Sequence, residues 1–328
     1  MSKVVMIGAS GHWQYARDGL QAFKEAAIAG IAPGSEDEDC TQPTAALGLS
    51  KGQLFADYRQ MLDQIRPDVA IVNPRFYLNG QVLGECMQRG VHCFIEKPIT
   101  FYLKELKRLR RVQQQTNVQV CSMMAYRYNP AFYELYRQVQ AGAIGEPLLI
   151  TAQKSYRLGR RPEWMHSREF FGGLVLWVGI HAIDWLHWIT GGGLETVTAL
   201  QTTKGNRNHG EMESSALCLY KLANGGQASI NMDYLRPGKA PTHGDDRLRV
   251  AGEKGLLEIM NDRLVLTTHE HEPGELPLAP PVNIFADFLR QVNGQGLCRI
   301  STTDVFEVAE TAIKSRMAAD REKTIKLT

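Results

Sequence analysis

A chain of 328 residues, with 44% hydrophobic and 22% charged residues, is long and apolar enough to form two folded domains. Its 37 Lys and Arg residues nearly balance 35 Asp and Glu residues, and this net charge of +2 argues against a nucleic-acid or membrane-surface partner. No apolar run approaches the roughly 18 residues that a membrane span requires. The N-terminus enters a strand-like run without a signal-peptide pattern. We expect a cytoplasmic protein.

The cysteines lie singly along the chain, without a CxxC pair. This pattern is typical of reduced, mostly buried thiols in a cytoplasmic protein. The histidines lack metal-ligand spacing, because His181 and His187 are not four residues apart, and His269 and His271 lie in an acidic stretch. We therefore expect no metal site. The six cysteines are Cys40, Cys86, Cys93, Cys121, Cys218 and Cys298.

The first 123 residues alternate short apolar segments with helix-like segments. Because strands that alternate with helices favour parallel pairing, this part predicts an α/β domain with a doubly wound parallel sheet. The predicted helices are 15–24, 55–65, 82–89 and 100–116. The predicted strands are 4–7, 26–32, 68–72, 91–95 and 118–123.

Residues 124–328 have a different pattern, with consecutive strand-like runs joined by turns such as Asn224-Gly225-Gly226. Such runs are typical of hairpins, so this part predicts an α+β domain with a large, mostly antiparallel open sheet. The predicted helices are 130–140, 172–189, 282–292 and 303–318. The predicted strands are 148–154, 195–202, 214–221, 226–234, 247–251, 256–260 and 263–268.

The turn GASGHW, residues 8–13, joins the first predicted strand to the first helix. Dinucleotide-binding folds hold phosphate in a glycine turn at this place, at a helix N-terminus. The turn departs from GxGxxG, because Ser10 and Trp13 stand at the second and third glycine positions. A phosphate-binding loop and an ordinary strand-to-helix turn therefore both remain open.

The acidic residue that accepts a hydrogen bond from the ribose 2′-hydroxyl of NAD usually follows the glycine turn by about 20 residues. Here the second strand ends in Pro33, Gly34 and Ser35, and the expected acid is missing from the strand tip. Its absence removes a charge that would repel a 2′-phosphate, yet no arginine replaces it. The sequence leaves NAD and NADP open and inclines slightly to NADP.

Lys97 follows the predicted strand 91–95 within the segment FIEKPIT. The carboxyl ends of parallel strands meet at one edge of a sheet, where ligands bind, and a buried ammonium requires a partner. Glu96 is a weak partner candidate, because neighbouring residues on a strand point in opposite directions. Pro98 restricts Lys97 to extended geometry and allows a cis peptide bond. We predict that Lys97 faces a ligand crevice.

A set of motifs in this order resembles the Gfo/Idh/MocA family of NAD(P)-dependent oxidoreductases over nearly the whole chain. The resemblance implies a Rossmann domain at 1–123 and a domain at 124–328 for substrate binding and for dimers or tetramers through its open sheet. It also implies hydride transfer between NAD or NADP and a hydroxyl or carbonyl of a sugar, polyol or related small molecule. Besides the glycine turn, the motifs are FIEKP (94–98), YRYNPAF (126–132), GAIGEP (142–147), GGLVLWVGIHAIDWLHWITGG (172–192) and RLRVAGEKGLLEI (247–259).

The same resemblance implies two catalytic residues and one departure. Lys97 matches the lysine that binds the reacting hydroxyl, and His181 matches the histidine that accepts its proton, which suits an ammonium and an imidazole. Many members carry an aspartate four residues before the histidine, where this chain has Trp177. Asp184 is expected to support His181 instead.

The resemblance further implies two sets of binding residues, although Arg127 could equally support the domain junction. The cofactor set is Gly8, Ser10, Gly11, His12, Trp13, Ser35, Asn73, Pro74, Glu96, Lys97 and Arg127. The substrate set is Lys97, Tyr126, Arg160, Trp164, Trp177 and His181.

Two alternatives remain open. The basic and aromatic stretch 156–164 is either a solvated loop or a lid that binds substrate hydroxyls, carboxylate or phosphate. The imperfect glycine turn and Trp177 also allow a cofactor-binding sensor on the same scaffold, or an imine or enone reductase.

Overall fold

The computed structural model describes residues Met1–Thr328, which divide into two compact units. The first unit is Met1–Ala125 with Val282–Ala309, and the second is Tyr126–Pro281 with Glu310–Thr328. The sequence predicted one boundary at 123/124 and placed everything after it in the second domain. The structure differs for 282–309, which returns to the first unit.

The first unit is built around a five-stranded parallel sheet in the order β2-β1-β3-β4-β5. This confirms the predicted doubly wound sheet. The short helix α2 was not predicted, because six residues show no clear helical period. The elements are β1 (Ser2–Ile7), α1 (Gln14–Ala22), β2 (Ala26–Ala32), α2 (Thr41–Ala46), α3 (Tyr58–Ile65), β3 (Val69–Val72), α4 (Asn79–Gln88), β4 (His92–Ile95), α5 (Leu103–Thr116) and β5 (Val120–Ser122).

The carboxyl ends of the parallel strands lie in register. Ile7 of β1 pairs with Ala32 of β2 and with Val72 of β3, and Val72 pairs with Ile95 of β4. The residues that follow these four strands therefore share one edge of the sheet, which is called the glycine edge below. It comprises Gly8, Gly11, Glu38, Asn73 and Glu96-Lys97.

The second unit contains a nine-stranded sheet in the order β13-β12-β11-β10-β6-β9-β8-β7-β14. All neighbours are antiparallel except β6 and β9, which confirms the predicted mostly antiparallel sheet. Its elements are α6 (Pro130–Gln140), β6 (Pro147–Tyr156), α7 (Arg168–Phe171), α8 (Ile180–Thr190), β7 (Leu194–Thr202), β8 (Ser215–Leu222), β9 (Gln227–Asp233), β10 (Gly244–Gly252), β11 (Gly255–Met260), β12 (Arg263–Thr268) and β13 (Gly274–Glu275).

The last elements explain why 282–309 belongs to the first unit. They are α9 (Ile284–Val292), α10 (Thr302–Arg321) and β14 (Ile325–Lys326), and α10 contributes residues to both units. Phe285 and Phe288 of α9 pack on Phe94 of β4, with ring centroids 4.8 and 6.1 Å apart. Burial of these aromatic rings ties α9 to the parallel sheet.

One face of the nine-stranded sheet is covered and the other is open. On β6 the buried side chains alternate as Ile150, Ala152 and Lys154, and α8 packs near this strand. On β8 the alternate residues Leu217 and Leu219 are 54% and 60% exposed. A lysine in the buried register of a strand is the unusual feature of this sheet.

The helix predicted at 172–189 is interrupted. Residues Val175–Gly179 form a π-helical turn that leads into α8, and a Cβ on Gly179 would lie 2.5 Å from Met232 Sδ. Such turns are frequent at functional sites. Contrary to the expectation from the sequence, the helical stretch Arg168–Thr190 has the length and apolar character of a membrane span. Most of it is buried inside the protein.

Candidate functional site

The turn after β1 can accept only glycine at two positions. Gly8 has φ +77°, and a Cβ on it would lie 2.5 Å from the Asn73 carbonyl oxygen and from Pro74 Cα. A Cβ on Gly11 would lie 2.4 Å from Glu96 Oε2 and 2.5 Å from Asn73 Oδ1. The backbone of the turn thus approaches the ends of β3 and β4 closely, which a side chain would prevent.

Glu96 anchors this turn. Its side chain is fully buried and accepts hydrogen bonds from the His12 amide at 2.7 Å and the Lys97 amide at 2.9 Å, while His12 Nδ1 lies 2.6 Å from its Oε2. Burial alone would raise the pKa of Glu96, but His12 and then Lys97 outweigh burial and hold that pKa below its usual value. Glu96 is therefore a buried, ionised carboxylate.

Lys97 is 2% exposed, so its side chain does not extend into solvent. The Lys97–Pro98 peptide is cis, as the sequence allowed. Asn79 Nδ2 donates to the carbonyl oxygens of Glu96 at 3.1 Å and of Pro98 at 2.8 Å, which fixes the segment around the lysine. The first unit thus holds a buried ammonium at the glycine edge.

An acid does reach the glycine turn, contrary to the sequence-based expectation. Glu38, six residues beyond the end of β2, accepts from the Ala9 amide at 2.9 Å, from the Gly34 amide at 3.0 Å and from the Ser10 hydroxyl. The loop after β2 folds back toward the turn, so the acid lies further along the chain than the spacing of about 20 residues predicted. Ser35, predicted as a cofactor residue, donates to Asp37 Oδ1 at 2.9 Å.

Asn73 directly follows β3, and its side chain is 0% exposed. Neither its Oδ1 nor its Nδ2 has a hydrogen-bond partner within the protein. A buried polar group left unsatisfied costs about 1–3 kcal/mol. A ligand with donors and acceptors would satisfy this amide. Together with the glycine turn and Glu38, Asn73 makes the edge a fitting site for a dinucleotide.

The second unit carries a buried cation that the sequence analysis missed. Lys154 of β6 is 0% exposed; its Nζ donates to the Tyr126 hydroxyl at 2.7 Å and lies 2.6 Å from Asp246 Oδ1. The ammonium also stands 3.9 Å from the Tyr126 ring centroid. Burial lowers the pKa of Lys154 to about 8, although Asp246 acts in the opposite direction.

Tyr126 connects this lysine to the helix histidine. Its hydroxyl donates to Asp246 Oδ2 and lies 3.2 Å from the Tyr156 hydroxyl. Its ring meets the His181 ring edge-on with centroids 5.2 Å apart. Burial, then Tyr156 and Asp246, raise the pKa of Tyr126. A cavity of about 410 Å³ borders this cluster and is lined by Tyr126, Asn129, Tyr156, Thr242, His243, Gly244, Asp245, Asp246, Asn261 and Asp262.

His181 and Asp184 both lie on α8, where His181 is 7% exposed. Asp184 is fully buried and accepts from Arg127 Nη2 at 2.6 Å and from Arg127 Nε at 3.0 Å. The sequence left Arg127 open between a cofactor contact and support of the domain junction, and it predicted that Asp184 supports His181. The structure joins Arg127 and Asp184 in one buried ion pair, and the predicted roles stay predictions. Such a pair is costly to break from one side, so both residues hold α8 in place.

The other predicted substrate residues lie in different settings. Trp177 belongs to the π-helical turn and is 9% exposed, Trp164 is half-buried, and Arg160 is exposed. Tyr126 and His181 are brought together, as predicted for substrate residues. The binding and catalytic roles assigned to all these residues stay predictions.

Two missed residues had different signals. Lys154 stands at a buried position of an alternating strand, and this register was readable from the sequence. Asp246 is 92 residues further along the chain and reaches Lys154 only because β10 pairs with β6 in register. No local pattern could have indicated that contact.

Two family models match the chain. Residues 2–124 match an oxidoreductase family with an NAD-binding Rossmann fold, and residues 132–258 match the GFO/IDH/MocA C-terminal domain. A Thermotoga maritima protein whose structure is described as that of an oxidoreductase is 40% identical, with 99% of each chain covered and a TM-score of 0.95. A levoglucosan dehydrogenase solved with NADH shares the fold, with a TM-score of 0.85, 16% identity, and 100% of this chain and 99% of that chain covered.

Curated relatives are more distant. Myo-inositol 2-dehydrogenase of Thermotoga maritima is 24% identical over 78% of this chain and 75% of the relative. scyllo-Inositol 2-dehydrogenase (NAD(+)) of Bacillus subtilis is 24% identical over 66% of this chain and 62% of the relative. A Synechocystis sp. oxidoreductase is 26% identical over 65% of this chain, and the match spans 60% of that relative's length.

Proposed function

We propose, from the premise that this chain belongs to the GFO/IDH/MocA oxidoreductase family, that it transfers a hydride between a nicotinamide dinucleotide and a hydroxyl or carbonyl carbon of a sugar, a polyol or a related compound. The observation that carries the proposal is the buried Lys97 at the glycine edge, beside a turn that only glycine can form. The names of the inositol dehydrogenase relatives support the substrate class.

The cofactor would be held by the glycine edge. The N-terminal end of α1 favours phosphate through the partial positive charge of the helix dipole, while the Ala9, Ser10 and His12 amides already donate to Glu38, Asn73 and Glu96. The amide of Asn73 supplies polar atoms that the protein leaves unsatisfied. When bound, the nicotinamide supplies the carbon that accepts or donates the hydride.

We further propose NAD(H) rather than NADP(H). The Glu38 carboxylate lies at the glycine turn, where it can accept hydrogen bonds from ribose hydroxyls. The same negative charge would repel a 2′-phosphate. The slight inclination to NADP rested on a missing acid, and Glu38 removes that basis.

In the proposed reaction Lys97 donates a hydrogen bond to the reacting oxygen and stabilises its developing negative charge. His181 accepts the hydroxyl proton during oxidation and returns it during reduction. Tyr126 packs against the His181 ring and, with Lys154 and Asp246, keeps it in position. Arg127 and Asp184 fix the helix that presents the histidine.

The test separates binding from turnover. NADH and NADPH are titrated calorimetrically, and absorbance at the reduced nicotinamide band is followed with a panel of polyols, sugars and sugar acids. Lys97→Ala and His181→Ala are each expected to lower kcat/KM at least about 100-fold, because each removes a group that acts on the reacting oxygen. Arg66→Gln, an exposed change, serves as the matched control.

Three results would be decisive. Unimpaired turnover in both variants would refute the catalytic assignment. Dinucleotide binding without turnover on the whole panel would favour the sensor. Failure to bind either dinucleotide would contradict the proposed function.

We also propose that a second copy of the chain covers the open face of the nine-stranded sheet. Leu200, Leu217 and Leu219 project from neighbouring strands on this face and are 54–60% exposed. Exposed apolar patches of this kind mark interfaces, and a two-fold axis lets one patch contact itself. Light scattering on the purified protein tests this, and a monomer at micromolar concentration would refute it.

A further inference from the structure

The segment after β6 carries three arginines within five residues, Arg157, Arg160 and Arg161. No carboxylate forms an ion pair with any of them. Elsewhere in the second unit, Arg168 and Arg236 pair with carboxylates at 3.0 and 3.2 Å. The segment thus concentrates positive charge without internal neutralisation.

Two of these arginines and one tyrosine leave polar atoms unsatisfied. Arg157 Nε and Arg161 Nε are buried and have no hydrogen-bond partner, although their side chains are only partly buried overall. The hydroxyl of Tyr234, a residue that is 2% exposed, likewise has no partner. Buried donors on charged groups are expensive to leave unpaired, so the folded protein retains them at a cost in stability.

Arg161 lies beside Tyr234, and the backbone of Arg157 lies beside Arg161 and His243. Arg161 Cζ stands 4.9 Å from the Tyr234 ring centroid, and Arg161 Nη2 donates to the Arg157 carbonyl oxygen at 3.4 Å. The Arg157 amide donates to the His243 carbonyl oxygen at 3.0 Å. Burial, followed by the charges of Arg161 and Arg157, lowers the pKa of His243, against an opposing effect of Asp246. The charges of Arg157 and Arg161 therefore lie close enough to His243 to disfavour its protonated form.

We infer that Arg157, Arg161 and the Tyr234 hydroxyl form a subsite for an anionic group of the substrate, either a carboxylate or a phosphate. A guanidinium offers a planar fork of donors that matches both groups. The inference rests on the proposed function and narrows its substrate class to acidic or phosphorylated sugars and polyols.

A row of rings connects this subsite to the histidine. The His243 ring lies 5.1 Å from the Tyr156 ring, the Tyr156 and Tyr126 hydroxyls are 3.2 Å apart, and Tyr126 meets His181. A substrate could therefore place its charged group at one end of the row and its reacting hydroxyl at the other. Arg160, which was predicted to bind substrate, is exposed, whereas Arg157 and Arg161 are partly buried, so the subsite is assigned to these two arginines.

The test compares charged and neutral probes of one sugar. Calorimetric titration with D-glucuronate, D-glucose 6-phosphate and D-glucose is done with and without NADH. We expect at least one anionic probe to bind about tenfold or more tightly than D-glucose, since charge-assisted hydrogen bonds are the stronger ones. The two anionic arms show whether carboxylate or phosphate is preferred.

Variants assign the effect to the subsite. Arg157→Gln and Arg161→Gln are each expected to weaken binding of the preferred anion about tenfold and to leave D-glucose binding unchanged. Arg321→Gln, at the exposed end of α10, is the matched control and should change neither. Should a Gln variant fail to fold, the corresponding Lys variant is used instead. Lysine keeps the positive charge but lacks the planar set of guanidinium donors, so it should weaken anion binding less than glutamine.

The inference would be overturned if no anionic probe binds better than D-glucose, or if the double variant Arg157→Gln/Arg161→Gln keeps the wild-type preference. Its failure is distinguishable from failure of the proposed function. If hydride transfer with neutral polyols occurs and is unchanged by substitution of both arginines, the subsite alone is refuted. Anion binding that depends on these arginines in a protein that binds no dinucleotide would refute the proposed function alone.

Discussion

Glu96 in the first unit and Lys154 in the second are both fully buried charged residues. Their surroundings stabilise the charged form of Glu96 but destabilise the charged form of Lys154. Glu96 receives two amide donors and the His12 ring, and its pKa is lowered, so its ionised form is favoured. Lys154 has one carboxylate and one hydroxyl partner, and burial lowers its pKa to about 8, which brings the loss of its proton close to neutral pH.

This difference shows that the number and kind of partners, rather than burial alone, decide how firmly a buried group holds its charged form. Glu96 is suited to anchoring, because a permanent carboxylate holds the glycine turn and the lysine segment at fixed positions. Lys154 is suited to titration, because a pKa of about 8 lies close to neutral pH. Each unit thus holds a buried charge of a different kind, a firmly ionised Glu96 in the first and a Lys154 that titrates close to neutral pH in the second.

The largest effect that would test this comparison is expected from Glu96→Ala. The change leaves the His12 and Lys97 amides without their acceptor and removes a buried charge partner, at a cost of about 3–5 kcal/mol in the free energy of unfolding. Urea denaturation measures it, with the exposed Glu36→Ala as control. The wild-type contribution should be lost as pH falls through the lowered pKa of Glu96, below its ordinary 4.5. A loss under about 1 kcal/mol would show that Glu96 is not an anchor.

A second, smaller effect concerns Lys154. Because its folded pKa of about 8 lies below the ordinary 10.5, the unfolded chain binds more protons between these values, and stability rises with pH there. We expect the unfolding free energy of wild type to rise relative to Lys154→Met by about 1–2 kcal/mol between pH 8 and 9.5. Urea denaturation across this pH range measures the difference, and Lys221→Met at an exposed position provides the baseline. Parallel curves would show that Lys154 does not titrate near neutral pH.

The smallest expected effect sharpens the account of the glycine edge. Glu38→Gln should weaken NADH binding about tenfold and improve NADPH binding, because the amide neither holds ribose hydroxyls as strongly nor repels a 2′-phosphate. Fluorescence titration with both dinucleotides gives the ratio of dissociation constants, and Glu36→Gln is the neighbouring control. An unchanged ratio would remove Glu38 from cofactor selection.

The sequence by itself determined the parallel sheet, the mostly antiparallel sheet and the position of Lys97 at the end of a strand. These features depend on hydrophobic periodicity, on turn residues such as glycine and proline, and on the order of the strands. Helix α6 at Pro130–Gln140 was predicted at its observed bounds, since a capping asparagine and a proline mark its start. His181 and Tyr126 were identified through motifs that lie within short segments of chain.

Only the tertiary structure decided which distant residues meet. Glu38 reaches the glycine turn because a loop folds back, Asp246 reaches Lys154 because two strands pair in register, and α9 returns to the first sheet because its aromatic rings pack there. Local sequence patterns predict the secondary structure of a segment, because they depend on residues close together in the chain. A contact between residues 92 positions apart depends on how whole strands and helices pair and pack.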